Sequence, residues 1–148
     1  MGLRQPQVDR APALALEIRT LVGKLKRRLR DLAGDNDFTP SQTAVLLRLE
    51  QDGPATASNL ARAEAMRPQS MSAAIAPLEA AGLVSGAPDP NDGRQTLLAL
   101  TARCRKLLRE RRAAKQDWLT RTIEARLSDK EQEKLAEALA ILARLVEG

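Results

Sequence analysis

The segment of residues 82–101, GLVSGAPDPNDGRQTLLALT, constrains the fold more than any other part of this 148-residue chain. Two candidate strands, a short apolar one at residues 83–84 and a second at residues 95–100, flank a cluster at residues 87–93 that contains two prolines, an asparagine and an Asp-Gly pair. Proline presets the backbone of a turn, and Asn, Asp and Gly tolerate the conformations that tight turns require. The segment is therefore predicted to form a β-hairpin with a long tip, the one convincing strand signal in this sequence.

Helical periodicity accounts for most of the remaining chain. Apolar residues recur at three- and four-residue steps over residues 13–33, opposite a basic face, which predicts a long amphipathic helix. Residues 1–12 carry two prolines and little apolar pattern, so we expect a loose arm. A breaker cluster at residues 34–37, Gly-Asp-Asn-Asp, should end the first helix.

Capping residues set the expected limits of the other helices. Thr39, Pro40 and Gln42 form a capping box with proline at the first helical position, so a second helix should begin there and end near residue 52. A short third helix is predicted over residues 57–65 and a fourth over residues 68–81, the latter ended by Gly82 in the left-handed conformation. A fifth helix should run from Thr101 to about residue 126, and a sixth should follow a second capping box at residues 128–131.

Composition excludes several classes of protein. The chain has no histidine and one cysteine, Cys104, so we expect no internal disulfide, no zinc site and no cofactor. A membrane span requires about 20 consecutive apolar residues, and no such run is found, so a cytoplasmic protein is expected. The sequence has no glycine-rich phosphate loop and no pattern of catalytic groups, which argues against an enzyme. A net charge of +5 favours an acidic partner such as nucleic acid.

The third and fourth predicted helices have the pattern of a helix-turn-helix, in which the second helix enters the major groove of double-stranded DNA. Gln69 can bind adenine through two hydrogen bonds, and small residues after it let the backbone come close. Arg67 is a poor helix cap, which is explained if its guanidinium binds phosphate or guanine. Arg94 at the hairpin tip can enter the minor groove, held in position by an ion pair with Asp92. The candidate DNA-binding residues are Thr56, Ser58, Arg67, Pro68, Gln69, Ser70, Ser72, Ala73, Asp92 and Arg94.

Four motifs together resemble a known family. They are Thr56-x-x-x-Leu60-Ala61, the run RPQSMS at residues 67–72, Leu78-Glu79-x-x-Gly82-Leu83-Val84, and Asp89-x-x-Asp92-x-Arg94 followed by Leu100-Thr101. In this order they resemble the MarR family of bacterial winged-helix transcriptional regulators, and the resemblance spans essentially the whole chain.

The resemblance implies a mainly α fold with a small β-hairpin wing. A winged helix-turn-helix at residues 39–100 would be flanked by dimerisation helices at residues 13–33 and 101–148, all within one domain of residues 1–148. It further implies a homodimer that binds a pseudo-palindromic operator, in many relatives a repressor released by a small-molecule effector, often aromatic or anionic. Residues that bind such a ligand are not identified by the sequence.

The sequence also departs from the family pattern. Ser85 and Gly86 follow Val84 where a basic residue is common, and Gly93 replaces a frequent wing arginine. Residues 53–101, called here the DNA-reading segment, carry Arg62, Arg67 and Arg94 against Glu64, Glu79, Asp89 and Asp92, a net charge of −1. Two alternatives follow: the basic start of the fifth helix supplies cations to DNA, or the chain is a helical dimeric protein–protein interaction module that has lost DNA binding.

Two further residues depart from the pattern. Pro77 lies inside the predicted fourth helix and should kink it near Ala73. Cys104 stands where relatives often carry glycine, away from the first-helix site of the relatives that sense oxidation, so no redox switch is expected.

Overall fold

The computed structural model describes residues 9–34 and 37–147, and within them six helices and three short strands. In chain order these are α1 (Arg10–Ala33), α2 (Pro40–Asp52), β1 (Ala55–Thr56), α3 (Ala57–Ala63), α4 (Pro68–Ala80), β2 (Val84–Pro88), β3 (Thr96–Leu100), α5 (Ala102–Arg126) and α6 (Asp129–Val146). The predicted fold class, mainly α with a small β-hairpin, is confirmed.

Element limits differ from the predictions in a few places. Helix α1 begins at Arg10, three residues before the predicted start, and the remainder of the expected arm, residues 1–8, lies outside the described residues. Asp35 and Asn36 of the predicted breaker cluster also lie outside them. Helix α3 ends at Ala63 rather than residue 65. Strand β2 extends to Pro88, into residues that were predicted as turn, because each of its residues pairs with β3.

The described residues form two compact units that divide between Arg111 and Arg112, within α5. The first unit contains the buried hydrophobic core, in which α2, α3 and α4 contribute residues such as Leu46, Leu60 and Met71. The second unit contains the end of α5 and all of α6, and none of its described residues is buried. No helix in the described part of the chain is both long and apolar enough to span a bilayer.

The sheet is antiparallel with the order β1-β3-β2. Val84 pairs with Leu100 at the base of the hairpin and Pro88 pairs with Thr96 toward the tip. Gly86 has a steric reason to be glycine, because a Cβ there would lie 2.5 Å from Cγ2 of Thr96. Glycine at position 86, one of the departures from the family pattern, therefore allows β2 and β3 to pack closely at this point.

The end of α4 and the start of α5 meet at the base of the hairpin. Gly82 is left-handed (φ 74°), as predicted, and the amide of Leu83 donates to the carbonyl of Leu78 at 2.9 Å. The hydroxyl of Thr101 donates to the carbonyl of Gly82 at 2.7 Å and accepts from the amide of Cys104 at 3.1 Å. One side chain thus caps α5 and fixes its first turn to the C-terminal end of α4.

Candidate nucleic-acid interface

Helices α3 and α4 are joined by a turn of fixed geometry. The hydroxyl of Thr56 caps α3 by accepting from the amide of Asn59 at 3.2 Å. In the connection, Ala65 adopts a left-handed conformation (φ 52°) and the amide of Met66 donates to the carbonyl of Ala61 at 2.8 Å. A left-handed alanine costs roughly 1–2 kcal/mol. The core contacts of Leu60 and Met71, on either side of the turn, offset this cost and set the angle between the helices.

The first turn of α4 presents its polar face outward. Arg67 stands at the N-cap without a side-chain capping bond, and Pro68 follows at the first helical position. The candidate residues of this turn are all exposed, whereas Met71, Ile75 and Leu78 face the core: Arg67, Pro68, Gln69, Ser70, Ser72 and Ala73. The free N–H groups and the positive dipole end of the helix therefore lie on the same exposed surface as these side chains.

The polar side chains of that turn are available to a partner. Within the described part of the chain, Gln69, Ser70 and Ser72 make no side-chain hydrogen bond. An exposed amide and two hydroxyls at the N-terminus of a helix suit both base edges and phosphate oxygens.

Two aspartates shape the hairpin tip. Oδ1 of Asp89 accepts from the amide of Asn91 at 3.0 Å, and Oδ1 of Asp92 accepts from the amide of Arg94 at 3.1 Å. The predicted ion pair is present, with Nε of Arg94 3.7 Å from Oδ1 of Asp92. Since the Arg94 side chain is 96% exposed, that pair contributes only about 0–1 kcal/mol. The firmer role of Asp92 is to hold the backbone turn that projects Arg94.

A cleft of about 410 Å³ separates α4 from the hairpin and brings four candidate residues together: Thr56, Ser58, Ser72 and Arg94. Thr56 lines this cleft but is only 6% exposed and its hydroxyl already caps α3, so it is placed to orient the start of that helix. Pro68, Gln69 and Ser70 do not line the cleft and lie on the outer turn of α4. Glu79, Gln95 and Thr96 also line the cleft, although no pattern in the sequence singled them out.

Charge is sparse on this surface. Oε1 of Glu64 lies 2.8 Å from Nε of Arg48, so this carboxylate is compensated from α2. Arg62 is hydrogen-bonded to Asn59 and remains exposed, as do Arg67 and Arg94. The seven cations between Arg103 and Lys115 begin instead at the C-terminal end of α4. Because α4 has 13 residues, the first of these cations, Arg103 beside Gly82, lies roughly 20 Å from the first turn of α4. This placement does not favour the idea that the start of α5 supplies the missing cations.

Cys104 is set apart from this surface. It is fully buried, and burial raises the pKa of its thiol. A buried thiol with a raised pKa is poorly reactive, since the thiolate is the nucleophile. The geometry agrees with the expectation that Cys104 does not act as a redox switch.

Comparison with known proteins agrees with the geometry. A model of the MarR family matches residues 38–96. An HTH-type transcriptional regulator of Mycobacterium bovis is 34% identical over 140 residues, which cover 95% of this chain and 97% of the relative. A crystal structure from Pseudomonas aeruginosa, described as that of a transcriptional regulator, has a TM-score of 0.78 at 34% identity, covering 95% of this chain and 98% of that one.

A third likeness shows the fold alone. A variant of Staphylococcus aureus MepR bound to an oligodeoxyribonucleotide has a TM-score of 0.71 at 23% identity, with coverage of 90% of this chain and 98% of that chain. The residues that match the family model include α3, α4 and most of the hairpin, and the relatives match over nearly their full length. The chain belongs to the MarR family of transcriptional regulators, whose members are DNA-binding helix-turn-helix proteins and not enzymes.

Proposed function

We propose that this regulator is a cytoplasmic homodimeric repressor that binds a pseudo-palindromic operator and is released by a small-molecule effector. The observation that carries the proposal is the exposed polar surface at the start of α4, of which Ser72 lines the same cleft as Arg94. This arrangement suits a helix in the major groove and a hairpin tip in the adjacent minor groove of one duplex. The DNA backbone strand that separates the two grooves would pass through the cleft.

Each part of the surface has a role in this binding mode. Gln69 and Ser70 meet base edges in the major groove, where a bidentate pair discriminates by about 1–3 kcal/mol. Ser58, Ser72 and Thr96 offer hydroxyls to the phosphates that pass through the cleft. Arg94, nearly fully exposed on a shaped tip, enters the minor groove, whose negative potential attracts a guanidinium.

Replacing the wing arginine tests this mode. Arg94→Ala should weaken binding to the promoter beside the protein's own gene by about tenfold or more, since a specific arginine contact contributes about 1–3 kcal/mol. Gel shift with wild-type and variant protein measures the change. Arg109→Ala, which removes one exposed cation from α5, should leave affinity within about threefold.

Two outcomes would count against the proposal. Equal affinity of wild type and Arg94→Ala would reject the wing contact. If wild-type protein bound neither its own promoter nor any other duplex specifically, the alternative of a dimeric protein–protein interaction module would be favoured.

Two long helices support the homodimer. Neither α1, of 24 residues, nor α6, of 18 residues, buries a single residue within one subunit. Both leave large apolar side chains exposed, for example Leu16 at 65% and Leu145 at 69%. An amphipathic helix is stabilised by burying its apolar stripe, and contiguous exposed apolar surface of this kind marks an interaction site. A second copy of the chain would cover these faces.

The two faces of α6 provide a matched pair of variants. Leu139, 53% exposed, lies on the apolar side of the helix, and Glu137 lies on the polar side. Leu139→Lys should shift the protein from dimer to monomer in analytical ultracentrifugation, because it places an unpaired charge in an apolar interface. Glu137→Lys should leave the dimer intact. If wild type sediments as a monomer at micromolar concentration, or if both variants remain dimeric, these faces are not the dimer interface.

A second cavity, of about 380 Å³, supports an effector site within the first unit. Its walls combine apolar side chains, such as Leu83 and Leu107, with three cations and two carboxylates. Asp37 lies 3.6 Å from Arg111 and Glu110 lies 3.9 Å from Lys106, so Arg103 is the lining cation that no carboxylate of the described residues pairs with. Its volume lies in the range of small-molecule sites. A Cβ on Gly82 would lie 3.5 Å from Nη1 of Arg103, so this guanidinium sits beside the joint between α4 and the hairpin. A ligand bound here would act on the segment that aims both DNA-binding elements.

The cavity predicts a preference for an apolar anion. Benzoate should raise the melting temperature and reduce operator binding, whereas neutral benzamide should do neither, because only the carboxylate pairs with Arg103. Thermal shift followed by gel shift measures both effects. Arg103→Ala should abolish the response and Arg109→Ala should retain it. Equal responses to the two ligands, or a response that survives Arg103→Ala, would exclude this site.

A further inference from the structure

Gln42 joins α2 to the middle of the recognition helix α4. Oε1 of the Gln42 side chain accepts from the backbone amide of Thr39 at 3.0 Å. The backbone amide of Gln42 donates to the hydroxyl of Thr39 at 3.1 Å, which completes the capping box of α2. The other end of the same carboxamide, Nε2, donates to the carbonyl of Ala74 at 3.3 Å. The capping interaction fixes the orientation of the carboxamide that binds α4, so the donor is held in place before it meets Ala74.

Ala74 lies where α4 is weakened by Pro77. Proline has no N–H, so the carbonyl of Ala73 cannot accept the usual bond from residue 77. The helix nevertheless continues to Ala80. Gln42 donates to the carbonyl of Ala74, which is adjacent to the Ala73 carbonyl that lacks its usual donor. This hydrogen bond connects this turn of α4 to α2, across 32 residues of sequence.

The position of this tie relates it to DNA binding. The buried face of α4, through Met71 and Ile75, packs in the core that α2 shares, and the hydrophobic contribution of these contacts is non-directional. A directional hydrogen bond at Ala74 restricts rotation about the helix axis. The residues it aims are Gln69, Ser70 and Ser72, two to five residues earlier on the exposed face.

We infer that Gln42 is a positioning residue for sequence recognition: it holds α4 in the rotation that presents Gln69 and Ser70 to the bases. This inference rests on the proposed operator binding. Its consequence is specific, because contacts to phosphates tolerate small rotations of the helix better than bidentate contacts to base edges do.

The chain offers a substitution that separates the two roles of Gln42. Glu is the usual acceptor at this position of a capping box, so Gln42→Glu keeps the bond to the Thr39 amide. It replaces the donor to Ala74 by a carboxylate oxygen, which cannot donate and is repelled by the Ala74 carbonyl. Thr39→Ala does the reverse, since it removes the hydroxyl that caps α2 and leaves Nε2 and its bond. Both variants lose one hydrogen bond of the free protein and should lower the melting temperature, but only the first should weaken recognition.

Two measurements on wild type and both variants test the inference. Gln42→Glu should weaken operator binding by about three- to tenfold, as loss of one net hydrogen bond implies, while binding to a random-sequence duplex stays within about twofold. Hydrogen exchange in the free protein should be faster for peptides covering α4. Thr39→Ala should leave operator affinity within about twofold and should not speed exchange in α4.

A second substitution tests the link with Pro77. Pro77→Ala restores the N–H that donates to the Ala73 carbonyl, so the conformation of α4 should no longer depend on the hydrogen bond from Gln42. The double variant, Gln42→Glu with Pro77→Ala, should therefore recover most of the operator affinity lost in Gln42→Glu. Additive losses in this cycle would reject the coupling between the two residues.

The outcomes distinguish this inference from the proposal on which it rests. Unchanged operator affinity in Gln42→Glu, or an equal loss on operator and random duplex, would overturn the positioning role. If the wild-type protein bound no operator, the proposed function would fail, and the exchange measurement alone would decide whether Gln42 holds α4.

Discussion

The hydrogen bond from the hydroxyl of Thr101 to the carbonyl of Gly82, 2.7 Å long, joins α4, the hairpin and the start of α5, on which the proposed DNA binding depends. Gly82 ends the recognition helix and begins the hairpin, and Thr101 ends the hairpin and begins α5. Because both strands leave from this point, the direction of α4 and the direction of the wing are set together. The cleft lined by Ser72 and Arg94 lies between α4 and the hairpin, the two elements that this hydrogen bond connects at their shared end.

In the proposed binding mode, recognition depends on shape more than on charge. The DNA-reading segment carries a net charge of −1, although the whole chain carries +5. The donors that face outward are backbone N–H groups at the start of α4, hydroxyls and one amide side chain, with Arg94 as the cation of the hairpin tip. Such groups act over short distances and require accurate placement, which gives the Gly82–Thr101 joint and the Gln42–Ala74 bond their importance.

Local signals explain why much of this structure was predictable from the sequence. The caps at Thr39, Thr56 and Ser128 are contacts within four residues of the chain, and those at Thr39 and Ser128 form the predicted capping boxes. The left-handed Gly82 and the hairpin follow in the same way from residue types that favour one backbone conformation. The exposed polar turn of α4 followed from helical periodicity.

Contacts between distant residues were not predictable in this way. Strand β1 has two residues and exists because Ala55 and Thr56 pair with Leu98 and Leu97 of β3. Glu79 and Thr96 line the cleft only because α4 and β3 meet there, and the capping pattern of Gln42 gives no sign of its bond to Ala74. Each of these depends on tertiary packing, for which residue type and spacing carry no local signal.

The salt dependence of operator binding tests the central claim, sparse charge at the interface, most directly. The observed association constant should be measured by fluorescence anisotropy across a range of salt concentrations, and its logarithm plotted against that of the salt concentration. A dimer that uses Arg62, Arg67 and Arg94 of each subunit predicts a slope of about −5, at roughly −0.9 per neutralised phosphate. A slope steeper than about −8 would contradict the account, because it would require cations outside the DNA-reading segment to contact the duplex.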